Sequence, residues 1–229
     1  MRSRRTTEEY TAPVEDYLKT IYELERLSGA AATTDIAGRL DVAPASVSGM
    51  IRRLADQGLL EHEPYRGVRL TDEGRRVALC TIRRHRILEL YLTERLGFAS
   101  DRVHDEAERL EHAASEELID RMAAALGEPT TDPHGAPIPT REGEIDEGET
   151  IALAELAVGE VGRIARVEDD DPAFLRYLDE LGLVPGSVVH ILDVAPFSGP
   201  ITLQLEGAEG EKRMIGRPVA HALRVERVS

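Results

Sequence analysis

The sequence predicts an α+β fold in which a helical amino-terminal part precedes a small β-barrel. Three patterns indicate this fold. Residues 13–58 contain three apolar repeats of helical period, and two short strand-like runs follow them around a Pro/Gly turn. Residues 72–126 continue with a longer helical pattern. From about residue 150 onward, short β-type runs alternate with Gly and Pro, as is typical of a small barrel.

The composition is that of a globular protein with room for two or three small domains. The 229 residues are 41% hydrophobic and 31% charged. No apolar run approaches the roughly 20 residues that cross a bilayer, and no apolar stretch follows the basic residues near the start. Cys80 is the single cysteine, which excludes an intramolecular disulfide. We therefore expect a cytoplasmic protein without a membrane partner.

The net charge of −15 speaks against nucleic acid as a partner, because phosphate contacts need local positive charge. The charge is unevenly distributed, however. Residues 1–70 carry a net charge of −1, and residues 71–229 carry a net charge of −14. The amino-terminal part therefore remains compatible with DNA binding, and the acidic remainder is either a solvated surface or a carboxylate-rich cation site.

The first two helices are predicted from apolar spacing and from their end signals. Residues 13–28 form an amphipathic helix in this prediction, because apolar side chains recur every three or four positions and Gly29 follows. Thr33 or Thr34 is expected to cap a second, short helix that ends at Leu40.

A third helix is predicted from Pro44, a favoured first helical residue, to Gly58. The runs LLEHE and VRLT then surround a Pro/Gly turn and predict a β-hairpin. Three helices followed by a hairpin form the winged version of the helix-turn-helix, a DNA-binding architecture.

Longer helices are predicted over residues 72–96 and 101–126. The segment 127–149 is rich in Pro, Gly and acidic residues, which is typical of a connection to the barrel. We place a winged-helix domain at 1–73, a helical domain at 74–140, a linker at 141–149 and a barrel domain at 150–229.

The third predicted helix has one apolar face, so the residues on its opposite face can be named. A recognition helix needs small or polar residues that approach base edges and cations that bind phosphates. The predicted DNA contacts on this helix, before it and in the wing are Thr34, Ala45, Ser46, Ser48, Gly49, Arg52, Arg53 and Arg66. The alternatives are an ordinary solvated helix and a protein-interaction module.

The segment VHDEAERLEH at 103–112 is the sharpest chemical signal. On a helix, four of its side chains share an arc of about 100°. These are His104, Glu108, Glu111 and His112. The preceding predicted helix offers His85 and Glu89 one turn apart. Clustered carboxylates repel one another unless a positive charge separates them, and imidazole with carboxylate suits first-row divalent metals. The alternative is that these residues decorate a solvated helix.

At these residues the chain resembles the diphtheria-toxin-repressor family of metal-dependent transcriptional regulators. The resemblance covers essentially the whole chain. It rests on EDYLKTIYELE (15–25), the helix-turn-helix (34–58), RGVRLTDEG (66–74), RRHRILE (83–89), VHDEAERLEH (103–112) and PHGAPIP (133–139). It implies a winged-helix domain, a helical dimerisation and metal-binding domain, and an SH3-like barrel. It also implies a homodimer that binds operator DNA.

The resemblance further implies two metal sites. The first comprises Asp16, Glu108, Glu111 and His112, and the second comprises His85, Glu89 and His104. Asp16 and Glu108 stand where iron-responsive members hold methionine and cysteine, whereas manganese-responsive members hold acids there. Hard oxygen donors suit Mn²⁺ better than soft sulfur does. We therefore expect Mn²⁺ as the cofactor and Fe²⁺ as the alternative, with other divalent first-row metals binding in vitro.

Two positions depart from the family pattern. Lys19 occupies a place where some short manganese regulators hold Glu, which favours two separate sites over a binuclear centre. In the barrel, Asp169 or Glu168 is the candidate for an additional ligand, while the other expected ligand position falls on Arg166.

The expected function is that of a Mn²⁺-dependent repressor of metal-homeostasis genes, which is not an enzyme and needs no organic cofactor. A metal-dependent hydrolase is an alternative, but the sequence supplies no nucleophile elbow, phosphate loop or HExxH motif. A winged-helix sensor of an organic ligand is a third possibility. Three Phe, six Tyr and no Trp leave little aromatic material for its pocket.

Overall fold

The structure, a computed structural model, describes residues 10–63, 67–169, 171–207 and 210–228. Its helices are α1 (Ala12–Ser28), α2 (Thr33–Arg39), α3 (Pro44–Asp56), α4 (Asp72–Leu96), α5 (Ser100–Leu110), α6 (Glu116–Leu126), α7 (Pro172–Leu181) and α8 (Arg217–Ala222). Its strands are β1 (Leu60–Glu63), β2 (Gly67–Leu70), β3 (Ile151–Ala152), β4 (Val161–Val167), β5 (Val188–Val194), β6 (Ile201–Leu205), β7 (Lys212–Ile215) and β8 (Leu223–Val228).

The chain divides into two compact units. The described residues of the first unit lie within Met1–Leu88, Glu108–Glu128 and Ile138–Ile145, and those of the second lie within Glu89–Ala107, Pro129–Pro137 and Asp146–Ser229. Of the helices in the described part of the chain, none combines the length and the apolar character that a membrane span requires.

Helices α1 to α3, the hairpin and the first half of α4 share the core of the first unit. Each helix contributes an apolar face, as its sequence spacing predicts. Fully buried members of this core are Leu18, Ile21, Ile36, Leu54 and Val77. Gly29 ends α1 in the left-handed conformation, with a φ of 80°, and its N–H bonds the carbonyl of Glu25.

The hairpin is fixed to the first unit by backbone and side-chain contacts. Strands β1 and β2 pair antiparallel, with Leu60 opposite Leu70. Ala31 exchanges two backbone hydrogen bonds with Val68, at 2.9 and 3.0 Å. The buried carboxylate of Glu25 accepts a 2.5 Å hydrogen bond from the N–H of Leu70. The wing therefore moves with α1, on which Glu25 lies.

The single helix predicted over residues 101–126 is wrong, because a turn separates α5 from α6. Ser115 caps α6, and its hydroxyl accepts a hydrogen bond from the N–H of Leu118 at 3.3 Å. A serine at this position accepts hydrogen bonds from free N–H groups at the start of a helix. Ser115 therefore favours the start of a new helix, although the pattern of charged residues continues through it. Consequently Glu111 and His112 lie in the turn and not on the face of a helix.

The predicted cap of α2 is also wrong. Ala32 occupies the cap position, and no side chain caps this helix. Thr33 is the first residue of α2, so Thr33 and Thr34 both lie within its first turn. Pro44 begins α3 as predicted.

A six-stranded antiparallel sheet forms the carboxy-terminal part of the second unit, in the order β3-β8-β4-β5-β6-β7. Its apolar core contains Ile164, Val189, Leu203 and Val225 among other residues. Helices α7 and α8 lie between the strands in sequence and were not predicted. Asp171 caps α7 by accepting hydrogen bonds from the N–H groups of Ala173 and Phe174, at 2.7 and 3.1 Å.

Candidate metal centre and DNA interface

Helix α3 presents a face that is free of core contacts. Val47 and Leu54 are fully buried in the first unit, and the opposite side of the helix is exposed. The exposed residues include the predicted DNA contacts Ala45, Ser46, Ser48, Gly49, Arg52 and Arg53, and Thr34 of α2 is exposed as well. The hydroxyl of Ser48 donates a 3.1 Å hydrogen bond to the carbonyl of Pro44. Arg66 lies outside the described residues.

Three predicted metal ligands meet where α1 approaches the turn after α5. Asp16, Glu111 and His112 each offer a ligand atom, and these atoms all lie within 4.8 Å of one another. Nε2 of His112 lies 2.8 Å from Oδ1 of Asp16 and 3.4 Å from Oε1 of Glu111. Glu111 is fully buried, whereas Asp16 and His112 are half-buried. Two carboxylates and one imidazole therefore converge on a small volume.

The second nitrogen of His112 contacts a residue that the sequence analysis missed. Nδ1 lies 2.6 Å from Oε2 of Glu15, the buried neighbour of Asp16 on α1. Oε1 of Glu15 accepts a 2.5 Å hydrogen bond from Nη2 of Arg84, and Nη1 of Arg84 donates to Glu116 at 3.0 Å. A carboxylate directly before a predicted ligand was the only signal of this role in the sequence.

His112 carries a positive charge in this arrangement. Its hydrogen bonds to Asp16 and Glu15, together with the charges of Asp16 and Glu111, raise its pKa from 6.5 to about 10, although burial opposes the shift. At neutral pH the ring is therefore an imidazolium that donates from both nitrogens. Its proton supplies part of the positive charge that the surrounding carboxylates require.

Lys19 supplies a second positive charge. Its ammonium donates to Oε1 of Glu108 at 2.5 Å and contacts both carboxylate oxygens of Glu111 at 3.1 and 3.2 Å. Nδ1 of His85 lies 3.4 Å from the same ammonium and 2.6 Å from Oε2 of Glu111. Burial, the largest influence, lowers the pKa of Lys19, but the charges of Glu111 and Glu108 outweigh it and the pKa is raised. Lys19 thus places a permanent positive charge beside Asp16, Glu111 and His112.

Each residue of the second predicted site lies beside another candidate ligand. His85 contacts Glu111 in the first unit, as described above. In the second unit, Nδ1 of His104 lies 3.1 Å from Oε1 of Glu89. Glu89 also forms a group with Asp132 and His134, in which one ligand atom from each lies within 4.8 Å of the others.

His134 lies in the PHGAPIP segment and Asp132 directly precedes it; neither residue was predicted as a ligand. Oδ1 of Asp132 accepts hydrogen bonds from the N–H groups of His134 and Ala136, at 2.8 and 2.9 Å. The carbonyl of His134 accepts from the N–H of Val167 on β4, at 3.0 Å. Nε2 of His134 is buried and has no hydrogen-bond partner among the described residues. An Asp-Pro-His sequence was the signal that could have identified this pair.

The barrel positions considered as additional ligands have other contacts. Asp169 is exposed, and its Oδ1 accepts a 2.9 Å hydrogen bond from the N–H of Asp171. Arg166 is buried and forms ion pairs with Glu147 and Glu168, at 3.3 and 3.2 Å. The Arg166 guanidinium therefore neutralises Glu147 and Glu168, the acidic groups that surround position 166.

Comparison with known families divides the chain into three consecutive matches. The N-terminal DNA binding domain of iron dependent repressors matches residues 9–68, and their metal binding and dimerisation domain matches residues 71–140. The FeoA domain, an SH3-like module, matches residues 151–227. These matches confirm the predicted α+β fold class with a winged helix, a helical dimerisation domain and an SH3-like domain.

Full-length relatives extend across all three regions. The iron-dependent repressor IdeR of Mycobacterium tuberculosis is 33% identical over 226 residues, which cover 93% of this chain and 96% of the relative. The diphtheria toxin repressor of Corynebacterium diphtheriae is 32% identical over 226 residues, with the same coverage of 93% and 96%.

Solved structures give the same result. A manganese-dependent transcriptional repressor in complex with manganese is 40% identical, with a TM-score of 0.88 over 94% of this chain and 100% of that one. The manganese regulator SloR is 30% identical, with a TM-score of 0.79 over 94% of this chain and 98% of that one.

The family consists of DNA-binding transcriptional regulators rather than enzymes. Its DNA-binding and dimerisation domains indicate operator DNA and a second copy of the chain as partners. Because the similarity is continuous from the winged helix to the FeoA domain, the predicted resemblance is confirmed: the chain belongs to the diphtheria-toxin-repressor family and is a metal-dependent transcriptional repressor.

Proposed function

We propose that Mn²⁺, bound by Asp16, Glu108, Glu111 and His112, switches this repressor to its DNA-binding state. The convergence of Asp16 with Glu111 and His112, with ligand atoms within 4.8 Å of one another, is the observation that supports the proposal most directly. Asp16 lies on α1 of the winged helix, while the other two lie in the turn after α5. A shared cation would therefore link two separate parts of the first unit.

The chemistry of the donor set favours manganese. Carboxylate oxygens and one imidazole are hard or borderline ligands, and Mn²⁺ prefers these to sulfur. The single cysteine, Cys80, is buried, and its Sγ contacts the carbonyl of Arg141 at 3.6 Å. Relatives include a repressor solved with manganese and the iron-dependent IdeR, so Fe²⁺ is the alternative cofactor.

The first cluster, formed by Asp16, Glu111 and His112, suits a divalent cation because its carboxylates already lie beside positive charges. The His112 imidazolium lies between Asp16 and Glu15, and the Lys19 ammonium contacts Glu108 and Glu111. A bound divalent cation would supply two positive charges, which would offset the repulsion between these carboxylates and keep them ionised. To act as a ligand, His112 must release the proton on Nε2.

Helix α1 connects the cluster to the DNA-binding elements. Leu18 and Ile21 lie in the same core as Leu54 of α3, and Glu25 of α1 fixes the wing strand through Leu70. Restricting Asp16 relative to the turn after α5 therefore restricts the recognition helix. In a homodimer, two recognition helices must match half-sites that are whole helical turns apart, so this restriction favours operator binding.

The second predicted site, with His85, Glu89 and His104, remains part of the proposal. Glu89 and His104 are in contact, and Asp132 and His134 offer further ligand atoms to Glu89. The buried Nε2 of His134, without a hydrogen-bond partner among the described residues, supports a cation bound beside Glu89.

Metal-dependent DNA binding tests the proposal. An operator is first selected from random duplexes with the Mn²⁺-loaded protein, and its affinity is then measured as Mn²⁺ is added. We expect a gain of about 5–150-fold, the usual range of allosteric coupling. The variant Asp16→Met/Glu108→Cys should shift the response toward Fe²⁺, because it introduces soft sulfur donors.

Matched substitutions at exposed positions, Asp105→Met/Glu117→Cys, provide the control and should leave the metal preference unchanged. A DNA affinity that no divalent metal alters would contradict the proposed switch.

Cation binding should release a proton from His112. Because its pKa is about 10 in the metal-free protein, the affinity for Mn²⁺ should rise by about tenfold per pH unit between pH 7 and 9. In the metal-free fold, the same raised pKa contributes stability that is complete below about pH 6.5 and is lost as the pH rises through about 10. Calorimetric titration in two buffers of different ionisation enthalpy measures the proton count. Binding at pH 8 without proton release would show that His112 is not a ligand.

Replacement of Lys19 tests whether its ammonium neutralises Glu108 and Glu111 in place of a cation. Lys19→Met removes repulsion toward an incoming cation and leaves Glu108 and Glu111 without their nearest counter-charge. We expect the melting temperature of the metal-free protein to fall, and Mn²⁺ to raise it by more than in the wild type. Lys212→Met changes the only other lysine, which is exposed on β7, and should leave both values unchanged. Weaker Mn²⁺ binding by Lys19→Met would contradict this role.

A further inference from the structure

Adjacent acidic residues on α1 have different environments. Asp16 is half-buried, and its carboxylate contacts Nε2 of His112. Glu15 is only 4% exposed, and its carboxylate contacts Nδ1 of the same ring. Consecutive helical positions are separated by about 100°, so α1 places one acid on each nitrogen of His112.

Basic and acidic side chains from two further helices hold Glu15 in place. Nη2 of Arg84 donates to Oε1 of Glu15 at 2.5 Å and contacts Oγ1 of Thr81 at 3.2 Å. Nη1 of Arg84 donates to Oε1 of Glu116 at 3.0 Å. Arg84 is buried as well, so water cannot readily replace these contacts. Both oxygens of Glu15 are used, one by Arg84 and the other by His112.

The orientation of His112 follows from this arrangement. Since Nδ1 is bound to Glu15, only Nε2 is directed toward Asp16 and Glu111. His112 lies in a turn and not in a helix, so its backbone alone restrains the ring less. A ring without the Glu15 contact could turn Nδ1 toward the carboxylates or leave the cluster.

We propose that Glu15 is a positioning residue of the metal centre, which holds Nδ1 of His112 so that Nε2 is available to a divalent cation. Arg84 and Glu116 keep Glu15 in the required position. A carboxylate that accepts the second N–H of a ligating histidine typically contributes 10–100-fold to metal affinity. This inference rests on the proposed metal site and adds to it a residue that need not touch the cation.

The variant Glu15→Gln should weaken Mn²⁺ binding by about 10–100-fold in the absence of DNA. The double variant Glu15→Gln/Arg84→Met also removes the guanidinium, whose charge Glu15 and Glu116 neutralise together. It should recover the melting temperature of the metal-free protein, but not the affinity for Mn²⁺. Glu23→Gln, on the same helix and paired with Arg39, is the matched control and should bind Mn²⁺ like the wild type.

Nitrogen NMR of the metal-free proteins reports the protonation and hydrogen bonding of His112, which would not change if Glu15 only stabilised the fold. The wild type and Glu23→Gln should show a hydrogen-bonded proton on Nδ1 of His112, which Glu15→Gln should lose. Mn²⁺ affinity within twofold of the wild type in Glu15→Gln would overturn the inference. Recovery of both stability and affinity in the double variant would overturn it too, because Glu15 would then serve only to neutralise Arg84.

Failure of the proposed metal site can be distinguished from failure of this inference. If Asp16→Ala and His112→Ala leave Mn²⁺ binding unchanged, the cation is bound elsewhere and the proposed function fails. If these two variants abolish binding while Glu15→Gln does not weaken it, the site stands and the positioning role of Glu15 is wrong.

Discussion

Repulsion between carboxylates is the constraint on which the proposed metal centre depends. The carboxylates around it are Glu15, Asp16, Glu108 and Glu111. Two like charges about 4 Å apart repel by about 4 kcal/mol at an effective dielectric constant of about 20. Such a group persists only if positive charge lies between its members. Protonated His112 and Lys19 supply that charge in this structure.

The two positive charges differ in kind. The proton of His112 can leave, and it lies at the nitrogen that faces Asp16 and Glu111. Lys19 is covalently fixed, and its ammonium is surrounded by Glu108, Glu111 and His85. In the proposed switch, His112 exchanges its proton for a metal, while Lys19 remains as a fixed charge beside Glu108 and Glu111. This difference favours one exchangeable cation in the first unit rather than a pair.

Helix α1 carries out three tasks with different faces. Its apolar residues, such as Leu18 and Ile21, lie in the same core as Leu54 of α3, the proposed recognition helix. Glu15 and Asp16 near its start contact His112, and Glu25 near its end accepts the N–H of Leu70 in the wing. A change in the position of its first turn would therefore reach both α3 and the wing, the elements that we propose contact DNA, through one rigid helix.

Much of the fold follows from local sequence patterns, but much of the site does not. Apolar spacing and end signals predict α1, α3 and α4, because these depend on neighbouring residues. The periodic His and Glu residues of 103–112 suggested one helix, whereas Ser115 caps a new helix and ends the pattern. The helices between the barrel strands were missed because short runs of apolar residues fit either structure.

Contacts between distant residues account for what could not be predicted in the site. Glu15 and His112 are far apart in sequence, and nothing local to Glu15 distinguishes a surface acid from a buried one. The same is true of Lys19, whose partners lie on α4, on α5 and in the turn after it. Spacing alone identified Glu111 and His112 as candidate ligands, whereas Asp16 was predictable only through the resemblance to a family. The arrangement around His112, with one acid on each ring nitrogen, required the fold.

Anomalous diffraction at the manganese absorption edge tests the central claim most directly. Crystals would be grown with the concentration of Mn²⁺ that produces full operator binding. We expect an anomalous peak bound by Asp16, Glu108, Glu111 and Nε2 of His112, with Glu15 still on Nδ1. If DNA binding is activated while Asp16 remains paired with a protonated His112 and no peak lies between them, the proposed switch is wrong.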